Sequence, residues 1–149
     1  KNRHFKTNFW NDIKLEDKLE NRIIIIFGHL SIILNCLKHN KNYVNFSQEI
    51  YDNIFLNIEN SLRELGHGDV TVNKKMKQLN QIFHDLLLKF KDKENEKKIN
   101  ITEITKFLFL KEKNDEISLK LNDYFQKYND FCFDIVNRNM IKDLENFKY

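Results

Sequence analysis

Two apolar stripes with helical spacing, joined by a short glycine turn, set the strongest limit on how this chain can fold. In residues 45–65 and 71–90, apolar side chains recur every three or four positions, which is the spacing of one helix face. Gly66 fits the left-handed residue just past the end of the first helix, and Thr71 is predicted to cap the second. The two stripes therefore predict a helix hairpin with the turn Gly66–His67–Gly68–Asp69.

A more apolar helix is predicted before this hairpin. It begins near Asp17, which would act as its N-cap, with Glu20 three residues later as in a capping box. The run from Ile23 to Leu34 is apolar on nearly every side, and it is shorter than the roughly 20 residues that a membrane span needs. We therefore predict a central helix covered by its neighbours. Other predicted segments are a short helix or turn within residues 1–16, a charged linker at 91–98, helices at 101–110 and 115–139, and an amphipathic segment at 140–147.

The chain's turn residues are scarce, and this scarcity narrows the fold class. It has no proline and only three glycines, whereas all-β sandwiches and barrels need turn residues after almost every strand. A length of 149 residues suits one domain with a single core. We predict an all-α fold, a single compact domain over residues 1–149, with about six helices and a central helix hairpin.

Several residues of these helices are predicted to have structural roles. Gly28 marks a close approach of another helix, and His29 is interpreted as a hydrogen-bonded core histidine rather than a ligand. Cys36 and Cys132 lie in apolar patterns without CxxC or Cys/His spacing, which predicts buried free thiols in a reducing compartment. Trp10 is expected to pack as a core or lid aromatic.

No catalytic motif is visible in the sequence. The Gly-His-Gly-Asp turn follows a helix and lacks the ending of a phosphate-binding loop, and the histidines show no metal-ligand spacing. His67 and Asp69 could form a general base with its orienting carboxylate, but no nucleophile or oxyanion site accompanies them. We predict a non-enzymatic protein with no cofactor and no metal. The net charge of +3 is too small for a general nucleic-acid binder, so no DNA partner is expected.

The lysines of the second hairpin helix are the one feature that folding alone does not explain. In a helix that starts at Thr71, Lys74, Lys75 and Lys77 lie in the first two turns, where cations oppose the helix dipole at a cost of about 0.3–1 kcal/mol each. Two explanations stay open: a lysine-rich surface produced by AT-rich codons, or a surface that binds a negatively charged partner. The predicted partner-binding set, with Asp69 neutralising part of its charge, is Arg63, His67, Gly68, Asp69, Lys74, Lys75 and Lys77.

The same stretch carries a family resemblance. Ser61–Leu87, SLRELGHGDVTVNKKMKQLNQIFHDLL, resembles the signature of the ubiquinol–cytochrome c chaperone family. The segments LENRIIIIFGHLSIILNCL and FSQEIYDNIFLNIENSLRE stand in the places of the family's two preceding helices, so the resemblance covers about residues 9–90. The chain departs from the family pattern at Asn21, His67 and Asn73, where glycine or small residues are usual.

This resemblance implies an assembly factor for the cytochrome bc1 complex (complex III). The client would be newly made cytochrome b, with a small helical partner subunit and contact to the ribosome or to an anionic membrane surface through the basic hairpin. The expected location is the cytoplasm of an α-proteobacterium, at the periphery of the inner membrane, with the mitochondrial matrix or inner membrane as the alternative. The alternative function is a helical adaptor that binds a protein partner or an anionic membrane surface and has no client. An exposed apolar groove favours the chaperone, and a fully covered core with only a basic patch outside favours the adaptor.

Overall fold

The computed structural model describes residues 10–38, 44–90, 102–108 and 115–135, and these residues are almost entirely helical. The described part of the chain contains six helical segments and no strand, which confirms the all-α prediction. The predicted linker at 91–98 and the segment at 140–147 lie outside the described residues. The segments are α1 (residues 10–13), α2 (Leu19–Leu37), α3 (Val44–Glu64), α4 (Asp69–Lys89), α5 (Thr102–Phe107) and α6 (Asp115–Ile135).

Helix α2 lies at the centre of the fold, as its all-round apolar pattern predicts. It packs against α3, α4, α5 and α6. The side chains of Phe27, Leu30 and Ile32 are fully covered. Because most apolar side chains of α2 are covered by a partner helix, with Ile26 left exposed, the other helices arrange themselves around it.

Helix α2 begins two residues after Asp17, close to its predicted start, and it extends beyond its apolar run at both ends. Polar residues on both sides of the isoleucine run are also helical, so α2 has 19 residues and is long and apolar enough to cross a membrane by length and composition. In the fold, 56% of its most apolar window is buried against protein. Burial by neighbouring helices, rather than shortness, is therefore what marks α2 as a core helix.

Both predicted N-cap residues were wrong. The residue at the N-cap of α2 is Lys18, without a side-chain capping bond, and Asp17 instead accepts a hydrogen bond of 2.6 Å from Arg22 Nη2. Helix α4 starts at Asp69 behind its N-cap Gly68, three residues earlier than a Thr71 cap requires. A carboxylate in the first turn stabilises a helix N-terminus, and Asp69 supplies it there.

Gly28 is a point of close approach, as predicted. A Cβ atom added to it would lie 2.7 Å from Ile104 Cδ1 and 2.7 Å from Phe125 Cζ. Both distances are well below van der Waals contact, so a side chain at this position would require the side chains of Ile104 and Phe125 to shift. The missing side chain allows Phe125 to pack directly on the backbone of α2.

His29 is the hydrogen-bonded core histidine that the sequence predicts. Its Nδ1 lies 2.7 Å from the Ile25 carbonyl oxygen and its Nε2 lies 2.6 Å from the Tyr124 hydroxyl. Because a carbonyl oxygen only accepts, the neutral ring carries its proton on Nδ1, and Nε2 accepts from Tyr124. Burial lowers the pKa of His29 to about 4, so the ring stays neutral at physiological pH.

The cysteine and tryptophan predictions also hold in the structure. Cys36 and Cys132 are buried and free. A hydrogen bond with Cys36, together with burial, raises the pKa of the Cys132 thiol, so this sulfur stays protonated. Trp10 packs partly buried against the core.

Candidate functional site

The hairpin turn has the geometry of a Schellman motif. Gly66 adopts a φ of +86°, the left-handed conformation predicted for it. Its N–H donates to the Arg63 carbonyl at 2.8 Å, and the His67 N–H donates to the Leu62 carbonyl at 3.4 Å. These two bonds satisfy carbonyls at the end of α3 that have no partner within the helix. The turn is therefore specified by local backbone chemistry.

Arg63 connects the two helices of the hairpin. Its Nη2 lies 2.8 Å from Glu59 Oε1 on α3, and its Nη1 pairs with the Asp69 carboxylate at the start of α4. Two carboxylates thus compensate the one guanidinium charge. Asp69 neutralises positive charge at the hairpin, as predicted, but the charge is that of Arg63, which therefore adds no uncompensated positive charge to the surface.

The three lysines do not oppose the dipole of α4. Since the helix begins at Asp69, Lys74 and Lys75 lie in its second turn and Lys77 begins the third. The dipole acts mainly within the first turn, so the predicted destabilisation by these lysines was wrong. The three side chains also differ in exposure: Lys74 and Lys77 are exposed, whereas Lys75 is half-buried.

Lys75 borders an apolar groove, which we call the α2–α4–α5 groove. Its volume is about 520 Å³. The polar and charged side chains at its edge are Glu20, Lys75, Gln78 and Lys106. The rest of the lining is apolar and consists of Leu19, Ile23, Ile24, Leu62, Leu79, Ile82, Phe107 and Leu108.

A second groove lies on the other side of α4, between α2, α3 and α4. Its volume is about 480 Å³, and its lining includes Leu34, Tyr51, Phe83, His84 and Leu87. Tyr51 is held in place by a 2.7 Å hydrogen bond from its hydroxyl to Asn80 Oδ1 and by stacking on Phe55 at 4.4 Å between ring centroids. Within residues 10–38, 44–90, 102–108 and 115–135, apolar side chains therefore line a groove on each side of α4.

The turn residues do not assemble a catalytic pair in the described part of the chain. Asp69 directs its carboxylate to Arg63 rather than to His67. Neither groove is lined by His67 or Asp69. Among the residues that the structure describes, no group of three or more His, Cys, Asp or Glu side chains is arranged to hold a metal ion.

Comparison with known protein families identifies the chain. The family model described as ubiquinol–cytochrome C chaperone matches residues 11–141. The chain belongs to the ubiquinol–cytochrome C chaperone family. The match extends well beyond residue 90, where the sequence resemblance weakens, and it includes α1 to α6. No curated protein and no solved structure matches the chain.

Membership in the ubiquinol–cytochrome C chaperone family gives the structural features a functional context. The family name implies a chaperone role, which is not enzymatic and which requires a client protein. The partner-binding role predicted for Arg63, His67, Gly68, Asp69, Lys74, Lys75 and Lys77 stays a prediction. In the structure these residues separate into the Arg63–Asp69 clamp, the turn at His67 and Gly68, the exposed pair Lys74 and Lys77, and Lys75 at the groove.

Proposed function

We propose that this protein is a non-enzymatic assembly chaperone that binds newly made cytochrome b and promotes assembly of the cytochrome bc1 complex. The observation that carries the proposal is the family match over residues 11–141. The proposed site of action is the cytoplasmic face of an α-proteobacterial inner membrane, or the matrix side of the mitochondrial inner membrane. A small helical partner subunit and the ribosome are further proposed partners.

The open grooves support a chaperone more than an adaptor. A client with apolar helices must be kept from aggregating until it is inserted, and burial of its apolar surface favours such a complex. An apolar groove between helices can receive the apolar face of a client helix. The α2–α4–α5 groove has such a lining, with aliphatic side chains from three helices and Phe107 from a fourth. An adaptor that binds its partner only through a charged patch does not need an apolar groove.

A deletion strain tests the proposed function directly. We expect loss of the gene to lower both the amount of cytochrome b and the ubiquinol–cytochrome c reductase activity of membranes, with recovery on complementation by the wild-type gene. An unrelated respiratory complex assayed in the same membranes serves as the control. Normal cytochrome b and normal reductase activity in the deletion strain would overturn the proposal.

One observation favours a second candidate function, docking on an anionic surface. Val70, Lys74 and Lys77 follow one another at spacings of four and three residues, so they share one face of α4. Val70 is 84% exposed, and both lysines are exposed as well. An exposed apolar residue beside two cations suits contact with anionic lipid headgroups or with ribosomal RNA.

Charge reversal of this face tests the docking function. The variant Lys74→Glu/Lys77→Glu should co-sediment less with anionic vesicles and with ribosomes at low salt than the wild-type protein does. The control is Lys74→Arg/Lys77→Arg, which keeps both charges at the same positions and should co-sediment as the wild type does. Equal co-sedimentation of the wild type and the α4 variant would discard the docking role.

A further inference from the structure

Lys75 differs from the other lysines at the start of α4 because it belongs to the apolar groove. It precedes Leu79 and Ile82 by four and seven residues, and all three line the α2–α4–α5 groove. Its side chain is half-buried, whereas Lys74 and Lys77 are exposed. Within the described ranges, Lys75 takes part in no ion pair.

Lys75 is a charged residue of the groove lining without an ion-pair partner in the described ranges. The other charged lining residues are Glu20 and Lys106, and Lys106 has interactions of its own within the fold. Glu20 is exposed and forms no ion pair with Lys75 in the described structure. A molecule that fills the groove and covers Lys75 removes water from its ammonium group. Burying a charge without a partner is costly, so an entirely apolar occupant would be disfavoured at this position.

The walls of the groove also limit the backbone conformation of an occupant. They are formed by helices, whose N–H and C=O groups bond within each helix. The lining therefore offers no strand edge to which an extended peptide could add. A segment that enters an apolar groove must satisfy its own backbone hydrogen bonds, and an α-helix does so.

From these two constraints we infer that the α2–α4–α5 groove binds an apolar α-helix that carries one carboxylate at the margin of its apolar face, and that this carboxylate pairs with Lys75. The inference rests on the proposed function for the source of the helix, which is the client protein. It adds the chemical class of client segment and the residue that selects it. A carboxylate at that margin would accept a charge-assisted hydrogen bond from Lys75. This bond compensates for the water that Lys75 loses when the groove is filled.

A pair of synthetic peptides tests the inference on the purified full chain. Both are fluorescently labelled amphipathic helices with leucines at positions i, i+3, i+4 and i+7, and they differ in one marginal residue, Glu or Gln. The wild-type protein should bind the Glu peptide about tenfold more tightly than the Gln peptide. In the Lys75→Gln variant the two peptides should bind equally. The control variant Lys74→Gln should keep the preference, and Glu20→Gln should keep or increase it.

Several outcomes would overturn the inference. They are equal affinity of the wild-type protein for both peptides, a Glu preference that survives in Lys75→Gln, and binding of neither peptide. A photo-crosslinking residue in place of Gln78, which lines the same groove, identifies other occupants. Crosslinks only to the chain's own residues, or only to a second copy, would show that the groove is already filled. A failed peptide experiment leaves the deletion phenotype unaffected, so the two proposals fail separately.

Discussion

Replacement of Phe125 by alanine is expected to lower the free energy of unfolding by about 3–5 kcal/mol, the usual range for a fully buried phenylalanine. Phe125 is completely covered, and its ring packs edge-on against Phe90 at 6.1 Å and His29 at 5.1 Å between centroids. The same ring rests on the backbone of α2 at Gly28. Its removal would leave a cavity between three helices. Urea denaturation monitored by circular dichroism measures the decrease in the free energy of unfolding.

Two further variants show whether the cavity is the cause. Phe133→Ala removes a half-buried phenylalanine from the same helix and should cost much less. Gly28→Ala alone should be destabilising by about 1–2 kcal/mol, because overpacking exceeds the gain in helix propensity. In the Phe125→Ala background, the same alanine would occupy space that the ring has left, and its cost should shrink or change sign. A purely additive double mutant would contradict the close packing of Phe125 on Gly28.

The second large effect is the pH dependence of stability through His29. Its folded-state pKa is about 4, below the 6.5 expected in the unfolded chain. The unfolded state therefore binds more protons between these two values, and the free energy of unfolding decreases as the pH falls from 6.5 to 4. The decrease attributable to His29 amounts to about 3 kcal/mol and is complete below pH 4. Above pH 6.5 this residue causes no further change.

The variant His29→Gln isolates this contribution. Glutamine does not titrate, so the stability of the variant should change less steeply with pH between 6.5 and 4 than that of the wild type. The variant loses ring contacts with Phe125 and Tyr128 as well, so the comparison concerns the slope rather than the absolute stability. Equally steep profiles for both proteins would show that His29 is not buried in its neutral form.

The helices were predictable because their signals are local. Apolar spacing located α3, α4 and α6, and the left-handed conformation of Gly66 followed from its place after a helix. The helix starts were not predictable from capping preferences alone. Asp69 is bound by Arg63, which lies six residues earlier on another helix, and Asp17 is bound by Arg22 instead of capping α2. In both places an ion pair competes with the local capping rule.

The grooves were less predictable than the helices. A stripe of apolar residues identifies the face of a helix that avoids water, but it does not say which part of that face another helix covers. One signal was nevertheless available. Lys75 lies four residues before Leu79 and seven before Ile82, which places this lysine beside the apolar face of α4 and apart from Lys74 and Lys77.

The small size of α5 makes one wall of the groove dependent on packing by other helices. This helix has six residues, too few to be stable alone, yet it provides Lys106 and Phe107 to the groove wall. The opposite wall belongs to α2 and α4, each of about twenty residues and packed on each other. The helical form of α5 therefore depends on its packing against α2, α4 and α6. The wall of the groove on this side exists only while those three contacts hold.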